Sequence, residues 1–194
     1  MVSTQTQMEE AITLILKNEK RKLLEQRPRK EEFGYDEEGW WMKDGENQFD
    51  LALSSWYRRA RVSKENITDL GTNEIFVFGS NLAGIHGAGA ARFAYENFGA
   101  KYGKGEGITG SCYALPTKSR EIKTLTLQQI KEHVDKFFEL AKPNKEYTFL
   151  VTEVGCGYAG YTPLHIAPLF EEALHCNNVF LPERFWNVIV THAK

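Results

Sequence analysis

The sequence predicts an α/β protein, a three-layer arrangement in which a mostly parallel, mixed sheet lies between helices, preceded by a helical N-terminal extension. Three observations predict it. Composition breaks near Gly71: the first 70 residues carry 26 charged side chains and three glycines, and the remaining 124 carry 24 charges and 13 glycines. Beyond that break, short apolar runs alternate with stretches of helical spacing, the pattern of strand–helix units that build a parallel sheet. Two glycine-rich segments, moreover, each fall between an apolar run and a helical stretch.

Within the extension, Thr6 and Glu9 have capping-box spacing, and Met8, Ile12, Ile15, Leu16 and Leu23 lie on one side of a helical wheel until Pro28 ends the pattern. Arg29 to Gln48, acidic and containing Gly34, Gly39 and Gly45, reads as loop, and Phe49 to Arg61 reads as a short helix. Trp40, Trp41, Trp56 and Tyr57 carry large apolar areas, which predicts that residues 1–70 are an appendage packed on the core formed by 71–194. At 194 residues the chain is long enough for one sizeable core.

In the second part, Ile75 to Phe78 reads as a buried strand and Ala88 to Phe98 as a helix. Ser111 to Leu115 is a second strand, Thr126 caps a helix running to Ala141, and Tyr147 to Val154 is a third strand. Thr162 and Pro163 suit an N-cap and first helical position for a helix reaching His175. Asn178 to Leu181 and Trp186 to Val190 read as strands.

Composition also excludes function classes. Hydrophobic residues make up 42% and charged residues 26%, with a net charge of -2 and both signs interspersed, which speaks against a nucleic-acid surface. Cys112, Cys156 and Cys176 are an odd set without C-x-x-C spacing, so neither a disulfide framework nor a zinc cluster is expected. His133, His165, His175 and His192 lack the spacing of metal ligands. No metal, cofactor or membrane association is expected, and the chain reads as cytoplasmic, with a small molecule as partner.

The first glycine segment, Gly79-Ser80-Asn81 through His86-Gly87-Ala88-Gly89, lies between strand and helix, where glycines admit a ligand to the backbone and unpaired N–H groups attract phosphate. Alone it is weak: Gly87-x-Gly89 lacks the G-x-G-x-x-G spacing, no P-loop is present, and tight helix-on-strand packing would use the same residues. The second segment, Gly155-Cys156-Gly157-Tyr158-Ala159-Gly160-Tyr161, recurs in the same context. At the carboxyl ends of parallel strands the two would face each other and enclose a diphosphate. Asn81 can offer an amide to a ribose hydroxyl. Of the titratable residues, His86 could protonate a leaving group and Glu153 could orient a water, although each could equally serve the fold. Cys156 reads as a small loop-lining residue rather than a nucleophile, because no base neighbours it. Tyr158 and Tyr161 are expected at the mouth of the crevice.

Phe78-Gly79-Ser80-Asn81 with His86-Gly87-Ala88-Gly89-Ala90-Ala91 resembles the asparagine and glycine-rich first loop of macro domains, and the second segment resembles their phosphate-binding loop. Gly105-Glu106-Gly107-Ile108-Thr109 and Tyr113-Ala114-Leu115-Pro116-Thr117-Lys118 match the middle of the family in order and spacing. The resemblance covers Asn73 to Leu181 and is closest to phage-associated macro-like proteins with the same F-G-S-N-L-A-G and G-C-G runs. It implies binding of ADP-ribose, with hydrolysis of an ADP-ribosyl or ADP-ribose 1''-phosphate derivative as a further expectation. Asn81 and His86 to Gly89 would then contact the distal ribose and Gly155 to Tyr158 the diphosphate. The acidic residue that contacts adenine in many macro domains has only Asp69 and Glu74 as counterparts, neither clearly in register. The second loop also resembles that of terminal ADP-ribose protein glycohydrolase, but Ala159 follows G-C-G-Tyr and no lysine lies between Gly107 and Tyr113, so that mechanism is not expected. Two alternatives stay open: a non-enzymatic interaction module with a vestigial pocket, and another nucleotide-processing enzyme.

Overall fold

The computed structural model describes residues 61–192 together with two short strands, Met42–Lys43 (β1) and Glu46–Asn47 (β2). The chain divides into two units, Met1–Arg59 and Ala60–Lys194. In the first, β1 and β2 pair antiparallel, Met42 opposite Asn47, inside the stretch that reads as loop. The helix expected from Met8 to Leu23, residues 49–60 of the second expected helix, and Trp40, Trp41, Trp56 and Tyr57 lie outside the described residues.

The second unit begins about ten residues before the compositional break, because Val62–Ser63 (β3) belongs to its sheet. Arg61 is not helical; its guanidinium donates to the carbonyls of Ala173 (2.8 Å) and Cys176 (2.7 Å), and its own carbonyl accepts from Trp186 Nε1 at 2.7 Å. The remaining elements follow in order: Glu74–Asn81 (β4), Gly89–Asn97 (α1), Gly107–Thr109 (β5), Cys112–Lys118 (β6), Leu127–Ala141 (α2), Thr148–Val151 (β7) and Pro163–Ile166 (α3). A 3-10 helix, Ala167–His175, continues α3 and is followed by Val179–Pro182 (β8) and Glu183–His192 (α4). The sheet order is β3-β8-β7-β4-β6-β5, parallel throughout except for the antiparallel edge strand β5.

Strand alternation divides β4 between two cores. Phe76 and Phe78 face α1, where Ala91 and Ala94 present only methyl groups and so let the helix lie close to the sheet. Ile75 and Val77 face the opposite layer, built from Ile130, Val134, Phe137 and Phe138 of α2, Phe170 of the 3-10 helix, and Phe185 and Trp186 of α4. Helix α2 starts where the sequence places it: the Thr126 hydroxyl accepts from the Gln129 N–H, and the Gln129 side chain accepts from the Thr126 N–H.

One expected element is wrong in kind. Trp186, Val188 and Val190 alternate as in a strand, yet the segment is the helix α4. Phe185, Trp186 and Ile189 are buried at helical spacing against the core, so the 3.6-residue period wins. Pro182 closes β8, and Glu183 occupies the first turn, where the helix dipole favours a carboxylate.

Candidate functional site

Strands β7, β4 and β6 lie side by side and parallel, so their carboxyl ends open on one edge of the sheet, the usual ligand position in open α/β folds. A cleft of about 460 Å³ lies there, within the range of small-molecule sites. Gly79, Ser80 and Asn81 from the end of β4, Thr117 and Lys118 from the end of β6, and Thr152, Glu153 and Val154 after β7 form its floor and walls. Gly87, Ala88 and Gly89 lead into α1 on one side, and Gly155, Gly157 and Tyr158 stand on the other.

The first loop is held by its own side chains and by a neighbouring segment. Asn81 is buried; its Nδ2 donates to the Ile85 carbonyl at 2.7 Å and its Oδ1 accepts the Ile85 N–H at 3.0 Å, so the amide serves the loop first and has one further hydrogen to offer. The chain then presses on residues 101–105, where Gly103 donates to the Gly84 carbonyl at 3.0 Å. A Cβ at Gly105 would sit 2.1 Å from the Asn81 carbonyl oxygen, a distance only glycine permits.

His86 departs from the sequence expectation. Its ring does not line the cleft; it is 1% exposed, edge-on to Phe78 and beside Tyr102. Nε2 lies 3.2 Å from the carbonyl oxygens of both Lys101 and Lys104, so it is the protonated nitrogen, donating to both. The residue fastens the loop and cannot reach a ligand as a proton donor.

Helix α1 starts without a side-chain cap at Ala88 and without an acidic residue in its first turn. Among the described residues, nothing accepts from the N–H groups of Ala90 and Ala91, both of which line the cleft. Across the cleft the N–H groups of Gly157 and Tyr158 are likewise unpaired among the described residues. Backbone donors thus stand on both walls with a helix N-terminus behind one of them, an arrangement whose partial positive charge suits an anion.

At the root of the second loop, Gly155 has φ 78° and would place a Cβ 2.9 Å from Ile166 Cδ1, so it is fixed by packing. Gly157 differs: no atom lies within 4 Å of where its Cβ would be. Tyr158 is 78% exposed, close to Gly89, with Lys118 Nζ 5.9 Å from its ring centroid. Three expected residues stand off the cleft. Cys156 turns toward the core, and burial, aided by the Glu153 charge, pushes its thiol up to about 11, the opposite of an activated nucleophile. Gly160 closes a turn onto the Gly157 carbonyl at 2.9 Å. Tyr161 is half-buried and donates its hydroxyl to the Leu125 carbonyl at 2.8 Å, so it braces the loop rather than standing at the mouth.

Glu153 does line the cleft, but both of its carboxylate oxygens accept from Arg184, at 3.2 and 3.0 Å. Glu74 lies at the opposite end of β4 and accepts the Gly71 N–H at 2.7 Å; Asp69 accepts from Thr68. Sequence reasoning missed Lys118, Ile85 and Ile122 on the walls. The strand read from the sequence ends at Leu115, three residues short of Lys118, where β6 ends; Ile122 carries no sequence signal, because only the fold brings the connection after β6 onto this edge. Among the described residues no helix is long and apolar enough to cross a membrane. Comparison with family models, with curated proteins and with solved structures finds no match to the chain.

Proposed function

We propose that the chain is a macro-domain-like binder of ADP-ribose or a related NAD-derived nucleotide, with the diphosphate held between the N-terminus of α1 and the tip of the second loop. One observation carries it: both glycine loops line the same cleft, and the N–H groups of Ala90, Ala91, Gly157 and Tyr158, unpaired among the described residues, belong to its opposite walls. Lys118 adds the cation a diphosphate needs, while the Glu153 carboxylate, which would repel it, is neutralised by Arg184. Three cysteines, all unpaired, suit a cytoplasmic setting.

Gly157→Val tests the proposal, since Gly157 lines the cleft and no atom lies within 4 Å of where its Cβ would be. Calorimetric titration with ADP-ribose should lose its binding signal, whereas the melting temperature without ligand stays that of the wild type. Unchanged binding would remove the diphosphate from this loop. Hydrolysis of an ADP-ribosyl or 1''-phosphate bond is the second function to test, favoured by the Glu153 carboxylate on the cleft wall. Release of ADP-ribose from such derivatives by the wild type, but not by Glu153→Gln, would establish it; equal release by both would exclude Glu153.

A further inference from the structure

Resting on the nucleotide-binding function proposed above, we infer that this site takes nucleoside diphosphate riboses with little regard to the base, holding the heterocycle on an apolar platform formed by Ile85, Ile122 and Tyr158. These three are exposed by 48%, 41% and 78%, and each comes from a different segment, yet all line the one cleft. Large apolar side chains left open around a concave site mark a ligand surface rather than a core.

Ile122 is the sharpest of these signals. Its φ is 63°, a conformation that a β-branched residue avoids. It is held there by a tight connection: Ile122 donates to the Ser119 carbonyl at 3.2 Å, Ser119 donates to the Lys123 carbonyl at 2.8 Å, and Lys118 and Thr124 bridge across the base. Thr124 Oγ1 then ties this connection to the second loop through the Ala159 carbonyl at 3.1 Å. Strain of this kind persists where the surroundings over-determine it and gathers at ligand clamps.

Indifference to the base follows from what the polar side chains on the walls already do. Asn81 is bonded to Ile85 through both amide atoms, Thr117 Oγ1 donates to the Ser80 carbonyl, Thr152 Oγ1 donates to the Val77 carbonyl, and Glu153 is held by Arg184. A site rejects the wrong base strongly when that base leaves buried groups unpaired; here these side chains are already bonded, and the one further Asn81 hydrogen is a single donor for which every base and ribose carries an acceptor. Lys118 is a cation suited to phosphate, not to a base edge.

Calorimetric titrations of the full chain with ADP-ribose, guanosine diphosphate ribose, uridine diphosphate ribose and ribose 5-phosphate test this. The three nucleotides should bind within about fivefold of one another, with ribose 5-phosphate at least about tenfold weaker, because it lacks the nucleoside and one phosphate. Ile122→Gly should weaken the three nucleotides by a common factor of about tenfold. It should leave ribose 5-phosphate unaffected and raise the melting temperature by about 2–4 °C, since glycine relieves the strained backbone. Ile85→Ala should weaken the same three ligands without that thermal gain. A preference for ADP-ribose above about fiftyfold overturns base tolerance and leaves nucleotide binding standing, because about fiftyfold requires a read base edge. Unchanged nucleotide affinity in both variants overturns the platform. Failure of the wild type to bind any nucleotide overturns the underlying function together with the inference.

Discussion

The two walls of the cleft are built differently from nearly the same composition. In the first, Asn81, Gly84, His86 and Gly105 are all fixed by contacts to other backbone, and the loop is clamped between its own amide and residues 101–105. In the second, Gly155 is fixed against Ile166, but beyond it the tip from Gly157 to Gly160 reaches the rest of the protein through the Thr124 and Tyr161 hydroxyls, and Gly157 faces empty space. Glycine therefore means two things here. At Gly84 and Gly105 it removes a side chain so that backbone can meet backbone; at Gly157, and at Gly87 on the first wall, no atom lies within 4 Å of where a Cβ would be, so it leaves room for a ligand.

Substitutions should separate the walls in order of size. Gly105→Ala should cost the most, about 3 kcal/mol or more, because a methyl group 2.1 Å from the Asn81 carbonyl must displace backbone. A thermal melt unaltered by it would mean that the first wall is not clamped. His86→Ala should cost about 2–3 kcal/mol in urea denaturation, since it leaves a ring-sized void and removes a donor from the Lys104 carbonyl and from the Lys101 carbonyl, which keeps only the Lys104 N–H. Ligand affinity should fall with it as the loop loosens. A loss of turnover with stability intact would return His86 to the chemistry. On the second wall, Tyr161→Phe removes one hydrogen bond and should cost about 1 kcal/mol, visible in the same titration. The smallest effect concerns Cys156: with its thiol pushed up to about 11 from an ordinary 9.0, thiolate at pH 8 is about 100-fold scarcer than in a free cysteine. Alkylation followed by mass spectrometry should be correspondingly slow and quicken as pH rises toward 11. Rapid labelling at pH 8 would show the second wall to be more open than its packing implies.

Much of the sheet was legible because local signals agreed with it. Apolar runs marked β4, β6, β7 and β8, the Thr126–Gln129 box marked the start of α2, and Pro163 marked α3. The short strands β3 and β5 were not legible, since two or three residues carry no period, and they exist because a neighbouring strand offers them hydrogen bonds. Helix α4 was misread because Trp186, Val188 and Val190 alternate, and only contact with the core distinguishes the two periods.

For the site, the sequence determined by itself that two glycine loops follow strands and precede helices, which sets backbone donors at strand ends. Tertiary structure alone decided which side chains face the cleft. His86, Cys156 and Tyr161 sit within the same loops as Gly87 and Gly157, yet turn to the protein, while Lys118 and Ile122 arrive from a strand end and a connection that lie between the two loops in sequence and belong to neither. Residue type and spacing fix where the backbone can bend and donate; the direction of a loop side chain is fixed by whichever partners the rest of the fold brings beside it.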